Sequence, residues 1–289
     1  MHPLSLAEPP PALTAAARRR WTTEPDADPA PGQMWLLSWD GGEPVAALLT
    51  AVRSDWVLAM PVTFDVPDAG PSEAVTGPDR LGAPLVVWYR LETGMGRFLL
   101  HRYIGEAATD DDVVALRRGT RGAPVPQFAT GVSGDTDVLR RLARTFADLC
   151  HIEWPSEADG DVVVDREVLT AAGVTPRVFA ERTGLPTATV LALWTNDTTL
   201  TPDQARLVVD AFGDVVKQPL KAPQDWITDS LQDPRVKDGV LAVAAHTGRG
   251  ERAARDLVRS SFALAARTPS VADRRRTAIR DAIALLLED

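Results

Sequence analysis

VTPRVFAERTGLPTATVLALWTNDTTLTPDQARLVVDAFG, residues 174–213, is the stretch around which the rest of the chain is organised. It contains two helix starts of one kind. Thr175-Pro176 and Thr201-Pro202 each set a hydroxyl at the N-cap and a proline at the first helical position. The hydroxyl accepts from an amide that the helix leaves unpaired, and the proline lacks an amide that would go unpaired anyway. Between these starts, Phe179 and Ala180 lead into Gly184-Leu185-Pro186 and then a helical run from Thr187 to Trp194. Two short helices joined by a glycine-containing turn make a helix-turn-helix. Leu185, Val190 and Leu193 are expected to face the first helix. Leu207, Val208, Ala211 and Phe212 are expected to supply a third apolar face, with Gly213 as its left-handed stop.

The stretch resembles the helix-turn-helix of the Xre/Cro-repressor class of bacterial regulators and antitoxins. That class has a capped helix with Ala, a Gly-hydrophobic-Ser turn, a recognition helix, a polar loop and a closing helix ending in Leu-Gly or Phe-Gly. The resemblance covers residues 165–213, with Asp165 as the cap of an opening helix from Arg166 to Ala172. It implies a partner, double-stranded DNA, with the N-terminus of the Thr187 helix in the major groove. Thr187 and Thr189 would then exchange hydrogen bonds with base edges, and Ala188 or Ala192 would touch a thymine methyl. Thr175, Arg177, Arg182 and Asn196 are the candidates for phosphate contacts. Two features stand against this. The reader positions Pro186, Thr187, Ala188, Leu191 and Ala192 hold no Arg, Lys, Asn or Gln, so no bidentate base pairing is available. From Asp165 to Asp210, four arginines (Arg166, Arg177, Arg182, Arg206) face six acids (Asp165, Glu167, Glu181, Asp197, Asp203, Asp210). A generic small helical bundle is the competing reading of the same stretch.

The chain has 289 residues, enough for two domains and a sizeable core. Hydrophobic content of 45% and charged content of 25% describe a soluble globular chain, and the single cysteine fits a reducing cytoplasm. A net charge of −9 is the wrong sign for a protein that coats nucleic acid, so DNA binding would need a local surface. The one cysteine, Cys150, excludes an internal disulfide or a thiolate metal cluster. His2, His101, His151 and His246 lack metal-ligand spacing, and no cofactor motif is present. No apolar run approaches the roughly 18 residues a membrane helix needs.

Residues 1–31 carry seven prolines and read as a tail. Residues 32–106 read as short strands: Met34 to Trp39, Val45 to Val52, Trp56 to Thr63, Leu85 to Tyr89 and Arg97 to Ile104. Five short strands at this spacing predict a small barrel or sandwich. Pro31 to Trp35, Glu43-Pro44-Val45, Met60 to Thr63 and Trp88 to Gly105 resemble the strands of MazF/PemK-like toxins. Those are SH3-like barrels that act as metal-independent ribonucleases. Departures fall at the chemistry. Gln33 stands where the toxin has an acid, Glu43 where it has an arginine, and Glu92 where its catalytic arginine would be. A carboxylate there repels both the phosphodiester and its transition state.

Residues 107–160 read as a helical connector. It comprises a helix opened by Thr109 and three aspartates, a second starting at Ser133 or Asp135, and an acidic linker over 156–161. Residues 161–218 hold the helix-turn-helix, and 219–289 are a basic helical region. Nine arginines lie between Arg249 and Arg280 against three acids, with Arg274, Arg275 and Arg276 as candidate phosphate contacts. The expected architecture is therefore α+β: an N-terminal SH3-like barrel, a helix-turn-helix domain and a C-terminal helical bundle. Three functions remain open. The first is a DNA-binding regulator or antitoxin-like protein, in which the barrel or the C-terminal helices bind a protein partner or make a homodimer. The second is a non-enzymatic assembly module that does not read DNA. The third is a MazF-like ribonuclease.

Overall fold

The computed structural model describes residues 8–122, 125, 128–131, 134–155, 162–195, 200–221, 226–263 and 272–288. The expected linker at 156–161 and Asn196 lie outside the described residues. In chain order the elements are α1 (Ala15–Arg20), β1 (Gln33–Leu37), β2 (Val45–Val52), β3 (Trp56–Thr63), β4 (Ala74–Thr76), β5 (Leu85–Val87), β6 (Thr93–Gly96), β7 (Leu100–Glu106), α2 (Asp110–Gly119) and α3 (Thr136–Cys150). There follow β8 (Val163–Val164), α4 (Arg166–Ala171), α5 (Pro176–Thr183), α6 (Thr187–Trp194), α7 (Pro202–Phe212), β9 (Leu220–Lys221), α8 (Trp226–Leu231), α9 (Lys237–Thr247), α10 (Glu251–Ala263) and α11 (Ala272–Glu288). The chain divides into two compact units, Met1–Trp154 with Trp226–Asp289, and Pro155–Asp225.

The first unit is built on an antiparallel sheet with strand order β4-β5-β3-β2-β1-β7, and β6 also pairs with β3. Its ends, β4 and β7, do not pair with each other, so the sheet is open rather than the expected barrel. The reason lies in what the strands bury. Every residue of β1 and the first six of β2 are buried. Alternate residues go to opposite faces. Trp35, Leu37, Ala47, Leu49, Val57 and Ala59 enter one core with residues of α3, α8, α9, α10 and α11. Met34, Leu36, Ala46, Leu48, Met60 and Val62 enter another with Leu13, Ala17, Trp21, Val113 and Leu116. A sheet apolar on both faces must be covered on both, and helices from the two ends of the chain do so together with α2 and α3.

Two expectations therefore change. The N-terminal segment is not a plain tail: Thr14 caps α1, and Leu13, Ala17 and Trp21 are buried against the sheet. The basic C-terminal helices are not a separate bundle: Val240, Val243, Ala254, Val258, Ile279 and Ile283 share one core with Trp35. Two arginines of α11 are held by acids of the same unit. Arg280 pairs with Glu24, and Arg276 donates to Asp233 at 3.2 Å.

The second unit has its own core of Val164, Leu169, Val174, Phe179, Val190, Leu193, Leu200, Val208, Phe212 and Val216. Asp165, Thr175 and Thr201 cap α4, α5 and α7, with Gln204 completing a capping box at α7. Phe179 ties three helices together: it stacks on Phe212 at 5.3 Å and meets Trp194 edge-on at 5.5 Å. β8 and β9 pair in antiparallel, Val163 opposite Lys221 and Val164 opposite Leu220, which closes the two ends of the unit on each other. Gly213 is right-handed (φ −62°), so it is not the left-handed stop expected of it. Gly184 holds that conformation instead, at φ +68°.

Candidate nucleic-acid interface

The helices α5 and α6 are joined by Gly184, Leu185 and Pro186. α5 ends because Gly184 turns left-handed and its amide donates back to Ala180 O at 2.9 Å. Only glycine reaches that conformation at little cost. Pro186 then sets the first bend of α6, and its carbonyl accepts from Val190 N at 2.9 Å. Val190 and Leu193 are buried, which fixes the rotation of α6 about its axis. Thr187, Ala188 and Leu191 consequently face outward. Leu191 is 53% exposed, an unusual position for a large aliphatic side chain.

Around this face the expected contact residues fall into distinct positions. Thr187 and Ala188 are exposed, while Thr189 and Ala192 are half-buried beside them. The Thr175 hydroxyl accepts from Val178 N at 3.3 Å as the cap of α5. Arg177 pairs with Glu181 at 2.9 Å. Arg182 pairs with Asp214 at 3.3 Å and lies over the Phe212 ring at 4.9 Å. Arg206 pairs with Asp203, and Lys221 with Asp165 at 3.5 Å. Exposed ion pairs of this kind are worth at most about 1 kcal/mol, so Arg177 and Arg182 stay available to a stronger anion. α6 differs from α4, α5 and α7 in its start, because Pro186 provides no side-chain acceptor; like α5, it has no acid in its first turn. Its first amides and the positive end of its dipole are open.

The remaining expected site residues lie in the first unit. Arg275 is half-buried on α11 and Arg276 reaches Asp233, while the side chain of Arg274 lies outside the described residues. Gln33 is buried, donating to Glu106 at 3.0 Å and accepting from the Trp35 indole at 3.0 Å. Glu43 is exposed, and Glu92 accepts from the Thr50 hydroxyl and pairs with Arg117 at 3.2 Å.

The first unit also contains a polar network that sequence spacing does not reveal. The Lys237 ammonium is fully buried and donates to Ser38 O at 2.6 Å and Phe98 O at 3.0 Å, with Glu251 at 3.3 Å. Arg255, also buried, donates to Glu251 at 2.6 Å inside a ring of Trp39, Phe98 and Trp154. Burial drives the Lys237 pKa down to about 7 against the pull of Glu251. Burial opposes the Glu251 charge, but Lys237 and Arg255 outweigh it and hold that carboxyl below its ordinary value. Beside them, Ser38 Oγ lies 2.9 Å from His101 Nδ1, and His101 Nε2 lies 3.0 Å from Asp238 Oδ1. Arg102 donates twice to Asp238, both at 2.8 Å. Burial lowers the His101 pKa, so the ring is neutral near pH 7. Asp238 only accepts, so Nε2 carries the proton and Ser38 donates to Nδ1. The order serine, histidine, aspartate has a hydrolytic look, yet Ser38 is 4% exposed and its carbonyl is spent on Lys237. These groups join β1 and the Arg97–Leu99 turn to α9 and α10.

Among the described residues no helix is long and apolar enough to cross a membrane, and no group of three or more His, Cys, Asp or Glu is placed to hold a metal ion. No family model matches the chain, and no curated protein sequence matches it.

Proposed function

We propose that the second unit is a helix-turn-helix that binds double-stranded DNA, and that the protein is a transcriptional regulator or antitoxin-like DNA-binding protein. The observation that carries this reading is the α5–Gly184–α6 arrangement. A capped helix, a left-handed glycine turn and a second helix pinned by Val190 and Leu193 leave the N-terminal face of α6 exposed. A helix presented in this way fits the major groove with its N-terminal residues against base edges. Thr187 and Ala188 are the first side chains to arrive, and Thr175, Arg177 and Arg182 on α5 are the phosphate-side contacts. The open amides at the start of α6 suit a phosphate oxygen. The first unit, with its two-sided core and internally paired charges, serves in this reading as the partner-binding or sensing part.

The test is fluorescence anisotropy of the full chain with labelled duplex from its own promoter, against scrambled duplex, at two salt concentrations. Tighter promoter binding that survives the higher salt is expected. Thr187→Glu sets a carboxylate against the duplex and should abolish it; unchanged affinity in that variant overturns the assignment of α6 as reader.

A second reading is favoured by Leu191. A leucine at 53% exposure on a face without charge also suits a protein partner, which would make the second unit an assembly module. Equal, salt-sensitive binding to both duplexes, together with concentration-dependent association that Leu191→Asp abolishes, would favour that reading.

A further inference from the structure

We infer that α6 reads thymine by its methyl group, through the face formed by Thr187, Ala188 and Leu191. The inference rests on the DNA-binding reading and specifies the base chemistry of that same site. At about 100° per residue, Val190 and Leu193 point together into the core, and Thr187, Leu191 and Ala188 fan across the opposite side. Thr195 follows on that side, with its hydroxyl donating to Leu191 O at 2.8 Å. The face thus consists of methyl and methylene groups with one unspent hydroxyl, at Thr187. Ala192 and Thr189, the other candidates by sequence, are both half-buried, beyond the Ala188 edge of this face.

The four bases differ in what they show to such a face. In the major groove guanine and adenine present N7 with O6 or an amino group, and cytosine presents an amino group; thymine alone presents a methyl. A leucine side chain laid over a polar base edge would strip its water without replacing the hydrogen bonds. Laid over a thymine methyl, it removes apolar surface from water on both sides. Charge agrees with this occupant. Among the described residues of α6 there is no carboxylate to repel the backbone, and its open first turn presents positive dipole to a phosphate. From Thr187 to Leu191 the helix rises roughly 6 Å, close to two base steps of about 3.4 Å. The recognised element is therefore a short run of adjacent thymines, read without bidentate contacts.

The experiment selects duplexes from a random library with the full-length protein. The enriched duplex is then resynthesised with uracil, which lacks only the methyl, at each thymine in turn. Binding is expected to weaken about fourfold for each contacted thymine replaced. Leu191→Ala, with helicity checked by circular dichroism, should bring the thymine-to-uracil ratio close to one at the thymine that Leu191 covers. An enriched duplex that binds equally well with uracil overturns the inference and leaves DNA binding standing, as does enrichment of sequences without thymine. A library from which nothing is enriched overturns the DNA-binding reading, and this inference with it.

Discussion

Lys237, Glu251 and Arg255 show what a single side chain does for the first unit. Two cations and one carboxylate are withdrawn from water, and each is satisfied by a backbone carbonyl or amide as well as by a charge. Glu251→Ala would leave the two cations buried without their counter-ion, and should cost about 3–5 kcal/mol of stability in urea unfolding. Lys237→Met should cost less, because it removes a group whose burial already disfavours its charge. The same shift sets a pH dependence. Below about 7 the lysine is protonated in both folded and unfolded chains. Between about 7 and its ordinary 10.5 the unfolded chain binds more proton. The contribution of Lys237 to stability therefore rises with pH across that window. Urea midpoints of wild type minus Lys237→Met should climb from about pH 7 to about pH 9.5; a flat difference would show an unshifted lysine. None of this was legible in the sequence. Lys237 lies 199 residues from Ser38, and no spacing rule links a lysine at the start of a helix to a carbonyl just past the end of a distant strand.

Elements were read best where their signals are local. Thr175-Pro176, Thr201-Pro202 and Asp165 act as caps because a hydroxyl or carboxylate beside its own helix needs no tertiary help. The error at Gly213 is instructive. That residue has the composition of a stop, but α7 runs on into a right-handed turn, with Val215 N and Val216 N both donating to Phe212 O at 2.9 Å. Gly184 is a position where only the backbone constraint matters, since no neighbour lies within 4 Å of an added Cβ. Gly184→Val should therefore destabilise the second unit by about 1–2 kcal/mol through its positive φ, seen as a lowered thermal midpoint. Leu191→Ala on the next helix should change that midpoint little, within about 0.5 kcal/mol, because the side chain is exposed. A larger loss would mean that Leu191 is covered.

At the scale of the molecule, two units with separate cores are expected to melt separately. Phe179→Ala, which empties the aromatic centre of the second unit, should lower one calorimetric transition by about 3–5 kcal/mol and leave the other in place. A single transition displaced as a whole would show that the units unfold together. The open sheet is where the sequence reading failed, and it failed for a physical reason. Gln33–Leu37 and Val45–Val52 are near-continuous apolar runs, the pattern of strands covered on both faces, whereas a small barrel needs one face for water. What covers them lies outside the strands: α1 and α2 on one side, and on the other α3 with α8 to α11, the last four more than a hundred residues downstream. The sequence by itself determined the α5–turn–α6 element, its caps and the uncharged character of α6, because those properties depend on neighbours within a few residues. The tertiary structure alone decided that the proline-rich start and the arginine-rich end join α2 and α3 in enclosing the sheet. It also decided that Ala192, unlike Leu191, is half-buried, because burial is settled by contacts that close only when distant segments meet.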